Sequence, residues 1–164
     1  MKKETAVKTN AMRELEKAGI PYTVHAYTPA GGEFSSGVES ASHLNVPVEM
    51  VYKTLVTRGQ SGALHVFVIP AAEELDLKKA ARSVHEKNVE MIAQKELTPL
   101  TGYVRGGCSP LAMKKQYGTV IDETAQLLDT FLVSAVKIGI SAEVDPEALA
   151  AYLHAPFADI LKEG

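Results

Sequence analysis

One segment, residues 51–58 (VYKTLVTR), constrains the fold most, because its side chains alternate as those of a β-strand do. On a period of two, Lys53 shares one face with Val51 and Leu55, while Thr54 points to the other. An ammonium group among apolar neighbours must either reach water along its own stem or meet an anion in a cleft. A lysine that protects a strand edge from aggregation explains the same pattern. Both interpretations stay open at this point.

Length and composition favour one globular domain over residues 1–164. The hydrophobic content of 46% and the charged content of 23% are ordinary for a chain long enough to bury a substantial core. The single cysteine, Cys108, excludes an internal disulfide framework and suits a reducing compartment. We find no long apolar run and no signal peptide, so we expect a cytoplasmic protein without a membrane partner. The net charge of -3 disfavours DNA binding, or any nucleic-acid binding by bulk electrostatics alone.

Helical and alternating patterns together predict a mixed α/β (α+β) fold. Helices are expected at residues 7–18, 38–44, 76–84 and 95–100 and after Asp145, and strands at residues 22–27, 51–58, 63–69, 119–122, 130–137 and 139–144. Pro99 and Gly102 are expected to close the fourth helix, and residues 89–92 fit either a strand or a helix start. The tight connection at residues 59–62 predicts a hairpin. We therefore expect a mixed, mostly antiparallel sheet with peripheral helices.

A second segment, residues 103–110 (YVRGGCSP), has the composition of a ligand-binding loop. Gly106 and Gly107 leave backbone amides open to close approach by a ligand, and Ser109 and Pro110 continue the loop. The segment lacks the lysine and spacing of a Walker loop, and it does not match the dinucleotide fingerprint. A plain turn explains the same residues.

Spacing indicates neither a protein nucleophile nor a metal site. Cys108 has glycine and serine as neighbours, but none of the five histidines stands at a spacing that predicts a pair with it. We therefore expect Cys108 to be unreactive. The sequence has no His-x-x-x-His, no paired cysteines and no carboxylate run with ligand spacing, so we predict no metal and no cofactor.

Five segments occur along the chain in a characteristic order. They are residues 19–27, 52–56, 75–81, 101–110 and 134–141. This succession resembles the YbaK/EbsC family, and most closely its cysteinyl-tRNA(Pro) deacylase branch, over residues 11–160. The resemblance implies a single-domain α/β fold shared with the editing insertion of bacterial prolyl-tRNA synthetases. It also implies hydrolysis of cysteine mischarged on proline tRNA in trans, with the tRNA acceptor end and prolyl-tRNA synthetase as partners.

The resemblance further implies roles for individual residues. Lys53 would be the catalytic residue near the 3′-terminal adenosine, and Thr54 would line the aminoacyl pocket, with Tyr27 and Phe34 as its walls. The loop that holds the amino acid and its ester would comprise Gly106, Gly107, Cys108, Ser109 and Pro110. In that loop Cys108 would fill the pocket rather than react.

A turn near the end of the chain matches the family only in part. Ser134 corresponds to the family's serine and Lys137 to a basic residue, but Val136 and Ile138 stand where the family turn is richer in glycine and carries an extra arginine. Ser141 occupies a position that is often acidic in the family. These departures leave the role of the turn open.

The resemblance implies a reaction in which the thiol of the substrate's own cysteine attacks its carbonyl carbon and the ribose leaves. Two alternatives stay open: a deacylase for another amino acid, such as alanine on tRNA(Pro), and a non-catalytic module that binds tRNA ends or the synthetase. Threonine after Lys53 favours the cysteine branch, since alanine-directed relatives more often have asparagine at that position.

Overall fold

The computed structural model describes residues 8–26, 41–42, 44–101, 109–111, 117–137 and 139–163. The strands are β1 (Thr23–Ala26), β2 (Tyr52–Gly59), β3 (Leu64–Pro70), β4 (Val89–Met91), β5 (Gly118–Asp122), β6 (Phe131–Lys137), β7 (Ile140–Val144) and β8 (Phe157–Ala158). The α-helices are α1 (Asn10–Ala18), α2 (Leu77–Ser83), α3 (Gln94–Thr101) and α4 (Pro146–Leu153). The ambiguous segment at residues 89–92 is thus a strand.

The strands form two sheets, where the sequence predicted one. Three strands pair antiparallel in the order β1-β7-β6, and five strands pair in the order β4-β2-β3-β5-β8. In the larger sheet β2 is antiparallel to β3 and β4, whereas β5 is parallel to β3 and β8. A parallel bridge between Val51, directly before β2, and Leu132 of β6 joins the sheets. The mixed, mostly antiparallel fold class is confirmed, and the expectation of one sheet is corrected, because β6 keeps this bridge but pairs along its length with β7.

Local signals set most helix ends as the sequence predicted. The Thr9 hydroxyl accepts a hydrogen bond from the Met12 N–H at the start of α1, and Gly19 ends that helix with a φ of 75°. The helix expected near residues 95–100 is present as α3; Pro99 lies inside it and does not end it, and α3 ends at Thr101, the residue before Gly102. Proline removes the hydrogen bond to the turn behind it but does not prevent the following residues from staying helical.

Two apolar clusters cover the two faces of the larger sheet. The cluster between the sheets and helices α1 and α4 includes Tyr52, Val68 and Ile121 of the larger sheet and Phe131 and Val133 of the smaller one. The opposite cluster packs the other face of the larger sheet against α2, with members that include Phe67, Ile69, Ala80, Ala81 and Val120. Strand β2 is therefore covered on both faces, and a polar side chain on either face needs a specific reason.

A buried carboxylate, that of Asp122, fixes the start of β2. Asp122 is 1% exposed and accepts hydrogen bonds from the Thr124 N–H at 3.0 Å, the Thr124 hydroxyl at 2.6 Å and the Ile160 N–H at 3.1 Å. Because Thr124 gives its proton to Asp122, the Tyr52 hydroxyl donates to the Thr124 oxygen, at 2.7 Å. Burial raises the pKa of Tyr52, so this donor keeps its proton.

A second polar cluster secures the hairpin between β2 and β3. The Glu86 carboxylate accepts hydrogen bonds from the Ser61 hydroxyl at 2.5 Å and the Ser61 N–H at 3.1 Å, and lies 2.8 Å from His65 Nε2. These contacts, with Ser61 the largest cause, lower the pKa of Glu86 to about 2. The cluster joins the residues after α2 to the hairpin.

Replacing Asp122 by alanine is expected to lower the free energy of unfolding by about 2–4 kcal/mol, because buried donors lose their acceptor. Asp145→Ala is the matched control, since Asp145 caps α4 with one hydrogen bond at an exposed position. We expect that variant to lose about 1 kcal/mol. Urea unfolding of both variants measures the difference, and equal losses would contradict the assigned role of Asp122.

The stability of the protein is expected to fall as the pH drops from about 4.5 to about 2, in part through Glu86. Its pKa is lower in the folded than in the unfolded chain, so its contribution is complete above the unfolded value and is lost as the folded value is approached. In Glu86→Gln the free energy of unfolding should fall less over this pH range, as measured by urea unfolding at several pH values. Glu73→Gln, at an exposed position, is the control and should leave the pH dependence of the free energy of unfolding unchanged.

Candidate active site

Strand β2 has an unpaired stretch of edge where the two sheets separate. Val51, the residue before this strand, contacts β6 through its bridge to Leu132, and the end of the strand pairs with β4. Between these points, no strand in the described ranges pairs with this side of β2, although the Val56 carbonyl accepts from the Ile92 N–H at 3.3 Å. Alternate residues of a strand direct their backbone groups to the same edge, so those of Thr54 point into this opening. We call the opening between Val51 and Val56 the edge gap.

Lys53 lies beside the edge gap on the face of β2 that packs toward α2. The half-buried residue shares this face with Leu55 and stands directly across from the fully buried Ile69 of β3. Its ammonium group has no ion pair and no hydrogen bond to any residue that the structure describes. A cation among apolar neighbours without a protein counter-ion favours the binding of an anionic or strongly polar ligand.

Thr54 carries a buried hydroxyl without a hydrogen-bond partner in the described part of the chain. The residue is 9% exposed and its Oγ1 is fully covered. Thr57, buried three positions further along β2, instead donates to the His65 carbonyl at 3.0 Å. Leaving a buried hydroxyl unpaired costs about 1–3 kcal/mol. Because Lys53 and Thr54 point to opposite faces, one ligand can reach both only across the edge gap.

Strand register places three half-buried polar residues side by side in the smaller sheet, and a fourth, Lys53, lies on the other side of the edge gap. Ser134 of β6 pairs with Ser141 of β7, and Ser141 pairs with His25 of β1; Lys53 follows the Val51–Leu132 bridge by two residues, on the unpaired edge of β2. Residues at matching positions point to the same face. We call these four residues, Lys53, Ser134, Ser141 and His25, the polar row. With paired strands about 4.8 Å apart, the backbones of Ser134 and His25 lie about 10 Å apart.

The remaining predicted site residues divide between described and undescribed parts of the chain. Ser109 and Pro110 are buried, and the Ser109 hydroxyl accepts from the Leu111 N–H at 3.1 Å, so this end of the predicted loop is anchored in the core. The predicted residues outside the described ranges are Tyr27, Phe34, Gly106, Gly107 and Cys108. Their predicted roles stay predictions.

One of the residues that differ from the family turn, Ser141, belongs to the polar row. Ser141, where the family often has an acidic residue, lies between Ser134 and His25. A bulge separates the Ser134 pair from the pair of Lys137 with Ile140. The bulge shifts the register after Ser134 and leaves the row itself aligned.

Sequence reasoning missed a histidine and glutamate pair at one end of the polar row. His25 Nε2 lies 2.7 Å from Glu143 Oε1, and the Thr130 hydroxyl donates to Glu143 Oε2 at 2.5 Å. Both the Thr130 and the His25 contacts lower the pKa of the Glu143 carboxyl. No local pattern signals this pair, because the two residues are 118 positions apart and meet only through the pairing of β1 with β7.

Within the described ranges, no group of three or more histidine, cysteine or acidic side chains is placed to hold a metal ion. In the same part of the chain, no helix combines the length and apolar character needed to cross a bilayer.

Known proteins resemble the chain over nearly all of its length. Residues 33–161 match the aminoacyl-tRNA editing domain. The chain is 44% identical over 160 residues to EbsC of Enterococcus faecalis, a proposed Cys-tRNA(Pro)/Cys-tRNA(Cys) deacylase, and the alignment covers 97% of this chain and 96% of that protein.

Solved structures share the fold. A proposed trans-editing enzyme for prolyl-tRNA synthetase superimposes with a TM-score of 0.81 at 25% identity, covering 96% of this chain and 99% of that one. A hypothetical protein at 20% identity superimposes with a TM-score of 0.82 over 92% of this chain and 97% of its own, which supports the fold alone. The chain therefore belongs to the aminoacyl-tRNA editing family, and the predicted family, fold class and class of enzyme are confirmed.

Proposed function

We propose that this protein removes cysteine from mischarged tRNA(Pro) in trans, and that the thiol of the substrate assists cleavage of the ester. The observation that carries the proposal is the pair of unsatisfied polar groups at the edge gap, the Lys53 ammonium and the buried Thr54 hydroxyl. Both groups lack partners in the described residues, and an aminoacyl ester supplies them with oxygen and nitrogen atoms. Family membership supports the reaction class.

An aminoacyl ester is already activated, so the site must orient it and stabilise the developing oxyanion more than attack it. In our proposal Lys53 holds the terminal nucleotide or counters negative charge on the reacting oxygens. The Thr54 hydroxyl and its backbone groups at the edge gap face the amino acid. The backbone of residues 106–110 completes the pocket, as the family resemblance implies.

A requirement for a thiol explains selectivity better than pocket size does. One methylene or a similar difference in size changes binding by only about 1–3 kcal/mol, which is too little for accurate editing. If the acyl group is recognised by its own chemistry, the tRNA body matters less. The name of the Enterococcus faecalis relative includes both Cys-tRNA(Pro) and Cys-tRNA(Cys), which fits this view.

We further propose that prolyl-tRNA synthetase presents the tRNA. A net charge of -3 provides little bulk attraction for a polyanion, so affinity for tRNA alone should be weak. The solved structure of a proposed trans-editing enzyme for that synthetase supports the same partnership. Such a protein would act in the cytoplasm, where the charged tRNA is made.

Lys53→Met is expected to lower kcat/KM for cysteine release by about 10²-fold or more, because the developing charge loses its cation. This loss of kcat/KM is measured by the release of labelled amino acid from four substrates: cysteinyl-tRNA(Pro), alanyl-tRNA(Pro), prolyl-tRNA(Pro) and cysteinyl-tRNA(Cys). Lys78→Met, at an exposed position of α2, is the matched control and should keep wild-type turnover. Wild-type protein should act on the cysteinyl substrates alone.

Other results of this assay would redirect the assignment. Faster release of alanine than of cysteine would replace the thiol mechanism by recognition of a small side chain. Folded wild-type protein without turnover on any substrate would favour a module that binds tRNA ends or the synthetase. Full activity of Lys53→Met would remove Lys53 from the reaction.

Thr54→Val is expected to reduce deacylation while leaving the free energy of unfolding unchanged or raising it by up to about 1 kcal/mol, because the valine removes an unpaired buried hydroxyl. Thr57→Val is the matched control on the same strand. It should lose about 1 kcal/mol, since the Thr57 hydroxyl donates to the His65 carbonyl. Urea unfolding compares the two variants, and an equal loss in both would mean that the Thr54 hydroxyl has a structural partner.

A further inference from the structure

A thiol-assisted reaction needs a group that takes the proton of the thiol. At neutral pH the substrate thiol is mostly protonated, whereas the thiolate is the nucleophile. The Lys53 ammonium has no lone pair, and the hydroxyls of Ser134 and Ser141 are poor bases. Within the polar row, imidazole is the group that accepts a proton near neutral pH.

The contacts of His25 fix which ring nitrogen is available. Glu143 is held as a carboxylate by the Thr130 hydroxyl, and its free lone pairs accept but do not donate. The His25 Nε2 that lies 2.7 Å away must therefore carry the proton of this hydrogen bond. In the neutral ring, Nδ1 then has a free lone pair, and no residue in the described ranges hydrogen-bonds to it.

The position of His25 is suited to contact with a bound substrate. The residue lies in the polar row, two strands from Ser134, which places the two strand backbones about 10 Å apart. Ser141, which lies between them, has a small side chain and is half-buried. His25 and Glu143 are 23% and 25% exposed at the side chain, so the pair is accessible from this face.

We propose that His25 is the general base of this site, with Glu143 and Thr130 as positioning residues; this inference rests on the proposed function. Nδ1 takes the proton of the substrate thiol, and the sulfur forms a bond to the carbonyl carbon. The bond from that carbon to the ribose oxygen then breaks, and the ribose oxygen receives the proton from Nδ1. The resulting cyclic thioester is hydrolysed by water to free cysteine.

The arrangement corresponds to a histidine and carboxylate dyad whose nucleophile comes from the substrate. In serine hydrolases the carboxylate holds the imidazole in the correct tautomer and stabilises the imidazolium that forms. Glu143 is placed to do both for His25. The protein then needs no nucleophile of its own.

Cysteine release from cysteinyl-tRNA(Pro) under single-turnover conditions tests the proposal. His25→Gln is expected to lower the rate by about 10²–10⁴-fold, the usual contribution of a general base. Glu143→Gln keeps the imidazole but no longer fixes its tautomer, so this variant should also have a lower rate than the wild type. Added imidazole should restore part of the turnover of His25→Gly, which a purely structural role would not allow.

The matched control is the other histidine and glutamate pair. His65 Nε2 lies 2.8 Å from Glu86, at a hairpin outside the polar row. His65→Gln removes a contact of the same kind and should keep the wild-type rate of cysteine release. Any loss common to both variants is then a cost of folding, which urea unfolding measures.

The outcomes separate this inference from the proposed function. Wild-type protein that releases no cysteine overturns the proposed function, and the inference with it. Wild-type activity together with full activity of His25→Gln overturns the inference alone. If His25→Gln does not fold, a wild-type rate in Glu143→Gln or a lack of imidazole rescue in His25→Gly has the same meaning.

Discussion

The anchoring of β2 is the constraint on which the candidate site depends. The buried Asp122 carboxylate holds Thr124, and Thr124 accepts a hydrogen bond from Tyr52, the first residue of the strand. The Tyr52 ring also meets Phe131 of β6 edge to face, with centroids 5.0 Å apart. One hydrogen-bond chain and one aromatic contact thus set the strand against both sheets. Lys53, the next residue, takes its position from this anchor.

Paired and unpaired polar groups lie within a few residues of each other on β2. Around Tyr52 and Asp122, each buried polar group has a partner, as the stability of a packed core requires. At the next two positions, the Lys53 ammonium and the Thr54 hydroxyl have none within the described ranges. Ligand-binding sites commonly lower the stability of a protein, because they keep polar groups unpaired for the ligand. The rigid anchor beside them holds the open groups in place while no substrate is bound.

Sequence reasoning was most successful where the cause is local. Side-chain period and capping residues predicted the hairpin at residues 59–62 and the helix that begins after Asp145, since each depends on a few neighbouring residues. Residues 89–92 were ambiguous because a three-residue strand owes its existence to its partner β2. The single predicted sheet became two because the length over which β6 pairs with β7 is a long-range property.

The sequence by itself determined that Lys53 and Thr54 lie on opposite faces of one strand, because a period of two is a property of the extended backbone. It also identified the family, since the five segments that carry the resemblance follow one another in a characteristic order along the chain. Only the tertiary structure decided that β2 has an unpaired edge beside these two residues, and that His25 stands in line with Ser134. Strand order and register come from the packing of distant segments, which no local pattern encodes.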